Sequence, residues 1–181
     1  MIPVQTIIEK QQLKVADWHK ELVLTETEAV WQFIEENHQW NFSLWHEEDI
    51  ARIKDIDPLR IVEAKRNIDK FNQARNNAME KIDEWILQLL QSKEVASPDK
   101  LHSETPGMMI DRLSIMSLKR YHMFEETERK DASPEHIEKC QARVNVLDEQ
   151  IRDLSNSLAD VLAKLEKAVP FFAFSAEREI F

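Results

Sequence analysis

The sequence is poorest in glycine, with one among 181 residues, where average usage would give roughly thirteen. Tight hairpins, phosphate loops and dinucleotide folds depend on glycine, because they need positive φ angles or a close approach to the backbone. The near-absence of glycine therefore excludes those architectures. With 43% hydrophobic and 32% charged residues, the composition instead predicts a folded, all-α protein.

Cysteine, basic residues and long apolar runs are also scarce. Cys140 is the one cysteine, so no internal disulfide can form. The 24 basic residues are outnumbered by 34 acidic ones, and a net charge of -10 repels nucleic-acid phosphates and anionic membrane surfaces. No signal-peptide pattern or run of membrane-spanning length is present. These absences predict a cytoplasmic protein with no nucleic-acid partner and no membrane span.

Prolines mark most of the predicted helix starts. A capping side chain precedes proline at residues 57–58, 97–98, 105–106 and 133–134, and proline is well tolerated at the first helical position. Thr25 to Glu28 matches a capping box, and Asn41 or Ser43 is the expected cap of a short helix. The pattern predicts helices at about 4–22 (broken near Thr25 and resuming to about 37), 44–56, 59–91, 106–129 and 134–169, with a polar connection over 92–104.

The last predicted helix carries an uninterrupted heptad seam. The seam favours either a dimeric coiled coil or packing within the chain against the helix at 59–91, and we prefer the second because bundles use the same packing. Cys140 falls in the seam and is expected to be buried. We predict a single domain, 1–181, forming an elongated antiparallel bundle. Its aromatic tail, 170–181, is expected to dock on the bundle's own end or on a partner. The seam residues are Ile137, Cys140, Val144, Leu147, Ile151, Leu154, Leu158, Val161, Leu165 and Ala168.

Polar residues interrupt the apolar faces of two helices. Trp45, Asp49 and Arg52 share one face of the helix at 44–56, with His46 beside them. Because burying an isolated charge is costly, these groups are expected to pair inside the bundle. A second polar row lies along the helix at 59–91, and either a structural network or a cleft would explain it. That row comprises Lys65, Asp69, Asn72, Asn76 and Asp83.

The single glycine, Gly107, lies in the first turn of the helix at 106–129. There it permits either an anion at the exposed N–H groups or close packing of another helix, and both interpretations stay open. Asp111 and His122 follow on one face. Together with His46, Asp49 and Asp69 they could supply metal ligands, but the paired Glu-x-x-His motifs of di-iron bundles are missing. No metal ligand and no cofactor is therefore assigned.

Two motifs carry a family resemblance. They are Asn41-x-x-Leu44-Trp45-His46-Glu47-Glu48-Asp49-x-Ala51-Arg52 and the run from Thr105 to Ile115 that includes Gly107, Asp111 and Arg112. Over residues of about 20 to 165 the sequence resembles an uncharacterised bacterial family, domain of unknown function 4254. The resemblance implies a soluble bacterial protein of no established activity. It also implies a loose association with genes for cell-surface polysaccharides.

Two functional hypotheses follow, and the sequence leaves open whether the protein is an enzyme. In the first, it is an accessory protein that binds itself, as a homodimer, or another protein. In the second, a bundle cleft binds or converts an anionic small ligand resembling a phosphate or a sugar nucleotide. In that cleft an arginine would hold the anion, Asp49 or His46 would act as acid or base, and Trp45 would stack. The candidate ligand-binding residues are Trp45, His46, Asp49, Arg52, Asp69, Asn72, Gly107, Asp111 and Arg112.

Overall fold

The computed structural model describes residues 2–91 and 102–167, and every regular element in these two ranges is an α-helix. The predicted all-α class is confirmed, including both long helices. The cap predicted at residues 97–98, most of the polar connection and the aromatic tail lie outside the described residues. The helices are α1 (Val4–Trp18), α2 (Ala29–Ala51), α3 (Pro58–Gln91), α4 (Pro106–Thr127) and α5 (Pro134–Lys167).

The helix starts at proline form as the sequence predicts. The Thr105 hydroxyl accepts a hydrogen bond from the Met108 N–H at 3.2 Å. The Ser133 hydroxyl accepts one from the His136 N–H at 3.2 Å. Before α3, the carboxylate of Asp57 caps the first turn in the same way. These caps satisfy N–H groups that have no partner within the helix, which fixes where α3, α4 and α5 begin.

The structure corrects the predicted boundaries before residue 57. The predicted helix at 44–56 is the second half of one continuous helix, α2, which ends at Ala51. Asn41, the predicted cap, lies inside α2 with its side chain buried against α4. The capping box also fails to form, because the Thr25 and Glu26 N–H groups donate to the carboxylate of Glu35 instead. A tertiary acceptor has replaced the local one.

The helices form two antiparallel pairs. In the first pair, Trp40 of α2 stacks on Phe71 of α3 with ring centroids 5.4 Å apart. In the second, Arg120 of α4 forms an ion pair with Asp148 of α5. By contrast, α1, α2 and α4 run parallel to one another. Since α4 also packs against α3, it contacts each of the other four described helices.

The heptad seam of α5 is buried within the chain, but the prediction that it packs against the helix at 59–91 is wrong. Cys140, Val144 and Leu158 are buried, as an internal seam requires, and the cysteine is a free thiol. The seam packs mainly on α4 rather than on α3. Periodicity identifies the buried face of a helix and not its partner. Here the short connection after α4 makes α4 the antiparallel neighbour.

The buried interior contains two apolar clusters with a polar layer at the level between them. The larger cluster includes Ile7, Ile82 and Ile110, and the smaller consists of Val15, Trp18, Phe42 and Leu118. Along α1, α2 and α4 the buried residues at this level are polar. They form what we call the Asp111 network: Gln11, Asn37, His38, Asn41, Asp111 and Ser114.

Candidate functional site

Asp111 is the acceptor at the centre of the buried network. Its Oδ1 accepts hydrogen bonds from the side-chain amides of Asn37 and Asn41, each at 2.9 Å. The Asn41 amide also donates to the Ser114 hydroxyl at 3.0 Å. A buried carboxylate needs such donors to offset its lost hydration. Asp111 is therefore a carboxylate held inside the bundle by two amide donors of α2.

His38 extends the network to α1. Its Nε2 lies 2.9 Å from the backbone oxygen of Gln11, and its Nδ1 lies 2.7 Å from the Ser114 hydroxyl. The carbonyl can only accept, so Nε2 carries the proton and Nδ1 accepts from the hydroxyl. Burial lowers the pKa of His38 to about 4. The ring is therefore neutral at pH 7, and both of its nitrogens have partners.

Arg75 of α3 borders this network with unused hydrogen-bonding capacity. Its Nε is buried, lies 3.7 Å from Asp111 Oδ1 and makes no hydrogen bond to the described residues. Its Nη1 lies 3.5 Å from the side-chain oxygen of Asn41, the outer limit for a hydrogen bond. Buried guanidinium donors normally find acceptors. Arg75 can therefore take a further acceptor.

Arg75 opens onto a cleft of about 360 Å³ between α2, α3 and α4, which we call the Arg75 cleft. Among the side chains that line it, Glu48 is the one acid, and it pairs with Arg52 at 3.3 Å. Lys119 has no ion-pair partner among the described residues. Arg52 also pairs with Asp49, and Arg75 lies 3.7 Å from the Asp111 carboxylate, so Lys119 supplies the unpaired positive charge of the cleft among the described residues. Its walls are formed by Asn41, Leu44, Trp45, Glu48, Arg52, Asn72, Arg75, Ile115, Leu118 and Lys119.

A second feature, the histidine cluster, consists of His19, His46 and His122. One ring nitrogen from each lies within 4.8 Å of the others. His19 follows the last residue of α1, whereas the other two lie on α2 and α4. Burial lowers the pKa of His46, and the neighbouring rings of His19 and His122 lower it further. These three histidines are therefore a possible set of metal ligands that contains no carboxylate.

A larger cleft of about 770 Å³ adjoins the histidine cluster. His122, Trp45 and Lys119 line it, together with residues of α5. Trp45 stacks on His122 with ring centroids 4.8 Å apart, so the indole separates this cleft from the Arg75 cleft.

The anion expected at Gly107 is a carboxylate of the chain itself. The Gly107 N–H donates to Asp83 Oδ1 at 2.7 Å. A Cβ atom at this position would lie 2.6 Å from the Met79 backbone oxygen, so any larger residue would force α3 and α4 to shift. Close helix packing and anion binding are here the same contact, because α3 packs against Gly107 and also supplies the anion, the carboxylate of Asp83. No external anion is needed there.

The nine predicted site residues do not form one constellation. Trp45, Arg52 and Asn72 line the Arg75 cleft, with Asp111 behind it. Asp49 lines the larger cleft and pairs with Arg52 at the surface, 3.1 Å apart. The remaining four residues are dispersed. His46 joins the histidine cluster, Gly107 packs on α3, Asp69 is exposed, and Arg112 is exposed and bound to Glu104.

The expectation that Asp49 and Arg52 are buried as a pair is wrong. The two side chains are 56% and 67% exposed, because α2 ends at Ala51 and turns into solvent. Lys65 and Asp69 are likewise exposed on α3. The buried polar positions of α2 lie about two to three turns before Asp49, at Asn41 and Asn37.

Comparison with known proteins identifies the family of this chain. A model of a family of proteins of unknown function, DUF4254, matches residues 31–172, well over half of the chain. The chain belongs to the DUF4254 family. No curated protein matches this DUF4254 chain, and no solved structure matches it either.

The two motifs that carry the family resemblance meet in space. Asn41, at the start of the first motif of this DUF4254 chain, donates to Asp111 and Ser114 of the second. Asn37, His38 and Arg75 lie outside both motifs and were missed. Asn37 and Asn41 recur four residues apart, a spacing that places both on one helix face, and this signal could have identified them. Arg75 and Lys119 gave no sequence signal, since single basic residues are common on exposed faces.

The described part of this DUF4254 chain contains no helix both long enough and apolar enough to cross a membrane.

Proposed function

We propose that this protein binds a small anionic ligand in the Arg75 cleft. The observation that carries the proposal is Arg75 itself, a guanidinium with a buried Nε that no described residue accepts from. Two oxygens of a phosphate or a carboxylate can accept two parallel hydrogen bonds from the planar guanidinium. The ligand completes a hydrogen-bonding set that the protein leaves incomplete.

Lys119, which also lines the cleft, supports the same assignment. Its ammonium lies on α4, on a cleft whose one lining carboxylate already pairs with Arg52. An anion in the cleft can therefore interact with both Arg75 and Lys119. The amide of Asn72 and the indole of Trp45 add a polar contact and a stacking surface. This combination suits a phosphorylated or nucleotide-like molecule, including a sugar nucleotide as the polysaccharide association suggests.

Neither Asp49 nor His46 lines the Arg75 cleft, so the acid–base roles considered for them have no support there. The proposal is therefore limited to binding. It is consistent with the strongly acidic composition because recognition depends on local charge rather than on net charge.

Thermal unfolding of the full chain with single ligands tests the proposal. The probes are inorganic phosphate, pyrophosphate, a nucleoside diphosphate and a nucleoside-diphosphate sugar. A ligand at about ten times its Kd should stabilise the fold by about 1.4 kcal/mol, which raises Tm by about 3–6 °C in a chain of this size. Titration calorimetry then gives the affinity.

Two variants and a matched control locate the binding. Arg75→Gln and Lys119→Gln should abolish the Tm increase. Arg66→Gln should retain it, because Arg66 is an exposed arginine of the same helix that lines neither cleft. If none of the four probes stabilises the wild type, or if Arg75→Gln binds as tightly as Arg66→Gln, the proposal is wrong.

A second candidate function is binding of another protein or of a second copy. The α1–α2 connection exposes three consecutive apolar side chains, Leu22, Val23 and Leu24, each more than 40% exposed. Adjacent exposed apolar groups are typical of contact surfaces. The heptad seam no longer argues for a dimer because α4 covers it. Light scattering over a range of concentrations tests self-association, and Val23→Ser should reduce any dimer that forms.

A further inference from the structure

The histidine cluster has the composition of a metal site. His19, His46 and His122 come from three separate parts of the chain and offer nitrogens within 4.8 Å of one another. Tetrahedral zinc with bonds of 2.0–2.1 Å requires nitrogens about 3.4 Å apart. Side-chain rotations that bring the rings together by roughly 1.4 Å would complete that geometry.

The surroundings of two of the rings favour coordination through Nε2. The Nδ1 atom of His19 lies 2.6 Å from the backbone oxygen of Val15. The Nδ1 atom of His122 lies 2.9 Å from a carboxylate oxygen of Glu125. Both oxygens accept a hydrogen bond from Nδ1–H, which leaves the Nε2 lone pair free. Carbonyl or carboxylate partners of this kind orient most metal-binding histidines.

His122 provides an independent indication. Its Nε2 is buried and has no hydrogen-bond partner among the described residues. A buried nitrogen without a partner loses its hydration with no compensation. Phe42, Trp45 and Tyr121 surround the three rings with aromatic contacts, so the described structure supplies little else for this nitrogen to bind.

We propose that His19, His46 and His122 bind one divalent transition-metal ion, zinc in the first instance. Three neutral imidazoles without a thiolate form a nitrogen donor set that suits Zn²⁺, Co²⁺ or Ni²⁺ rather than Mg²⁺ or Ca²⁺. Three protein ligands leave a fourth position for water or another molecule, as catalytic zinc sites do. The larger cleft, which His122 lines, gives access from one side.

Metal titration of the full chain tests this proposal without any assumption about the Arg75 cleft. Metal-free protein is titrated with Zn²⁺ in a calorimeter and with Co²⁺ in a spectrophotometer. We expect one ion per chain and the intense visible bands of four-coordinate Co²⁺, which Zn²⁺ should displace.

Variants identify the ligands. His19→Ala, His46→Ala and His122→Ala should each weaken Zn²⁺ binding at least tenfold. Glu125→Gln should weaken it about tenfold or more through His122. His136→Ala is the matched control, since this exposed histidine on α5 contacts Glu126 and Cys140 rather than the cluster, and it should bind as the wild type does.

One measurement needs no variant. X-ray absorption of the Zn²⁺-loaded wild type counts imidazole ligands directly, and three are expected. The proposal is overturned if the wild type binds no Zn²⁺, if the absorption spectrum shows fewer than three imidazoles, or if the three histidine variants retain wild-type affinity.

Discussion

Two neighbouring regions of the same three parallel helices use histidine in opposite ways. In the Asp111 network, both nitrogens of His38 have partners, and the Oε1 atom of Gln11 is the exception among otherwise paired groups. In the histidine cluster, Nε2 of His122 is buried without a partner. A satisfied polar layer fixes how helices pack, whereas an unsatisfied one indicates where a ligand fits. Burial differs as well, because the Asp111 network is buried throughout whereas His19 is exposed and His46 and His122 are partly buried.

The largest effect on stability is expected when the shared acceptor of the Asp111 network is removed. Asp111→Ala should lower the free energy of unfolding by about 4 kcal/mol, because Asn37, Asn41 and Arg75 lose a shared buried partner. Urea unfolding measures the change. Asp111→Asn, which retains an acceptor oxygen, should lose much less. A loss below about 1 kcal/mol for the alanine variant would show that the network does not stabilise the fold.

Acidification should weaken the same region through His38. Its pKa is about 4 when folded and 6.5 at its ordinary value, so between these values the unfolded chain binds more protons and stability falls as pH falls. The full loss, reached near pH 4, is about 3 kcal/mol. Unfolding at a series of pH values measures it. His38→Gln should show a shallower decline over pH 6.5 to 4, and an unchanged slope would contradict the assignment.

The close approach of α3 and α4 can be tested at Gly107. In an ordinary helix Gly→Ala is stabilising by about 1 kcal/mol, but here the new Cβ would meet the Met79 oxygen at 2.6 Å and Asp83 Cγ at 2.8 Å. Gly107→Ala should therefore destabilise the protein by about 2 kcal/mol. Thermal unfolding distinguishes the two signs. An increase in Tm would mean that the helices separate without cost.

The smallest effect is expected in the histidine cluster without metal. His19→Ala should change the free energy of unfolding by about 0.5 kcal/mol, as an exposed substitution does, because His19 is exposed. Chemical denaturation in the presence of a chelator measures this value. A loss above about 2 kcal/mol would make the cluster a structural element and remove its contrast with the Asp111 network.

The all-α class and most helix starts were predictable because their signals are local. Thr105 and Ser133 cap helices beside a proline, and that chemistry acts within one turn. The heptad seam of α5 is equally local. These features form as predicted because tertiary contacts do not compete with the local hydrogen bonds and packing that produce them.

Elements that depend on distant partners were not predictable. Asn41 resembles a cap and becomes an interior residue only because Asp111 and Ser114 of α4 offer buried partners. The histidine cluster joins His19, which directly follows α1, to residues of α2 and α4, and no spacing along the chain relates them. For the candidate site, the sequence identified Trp45, Arg52, Asn72 and Asp111 but could not indicate that Arg75 completes it. Helical phase gives the direction of a side chain and not the helix that it meets.

Because α4 contacts each of the other four described helices, its position affects the order in which this protein folds. During synthesis α1, α2 and α3 leave the ribosome before α4 exists, so Gln11 must wait for a partner 99 residues later, the backbone oxygen of Ile110. Until then His38 and the two asparagines face water or one another. A nascent chain stalled before Pro106 lacks these buried partners, so we expect it to be a substrate for chaperones and proteases.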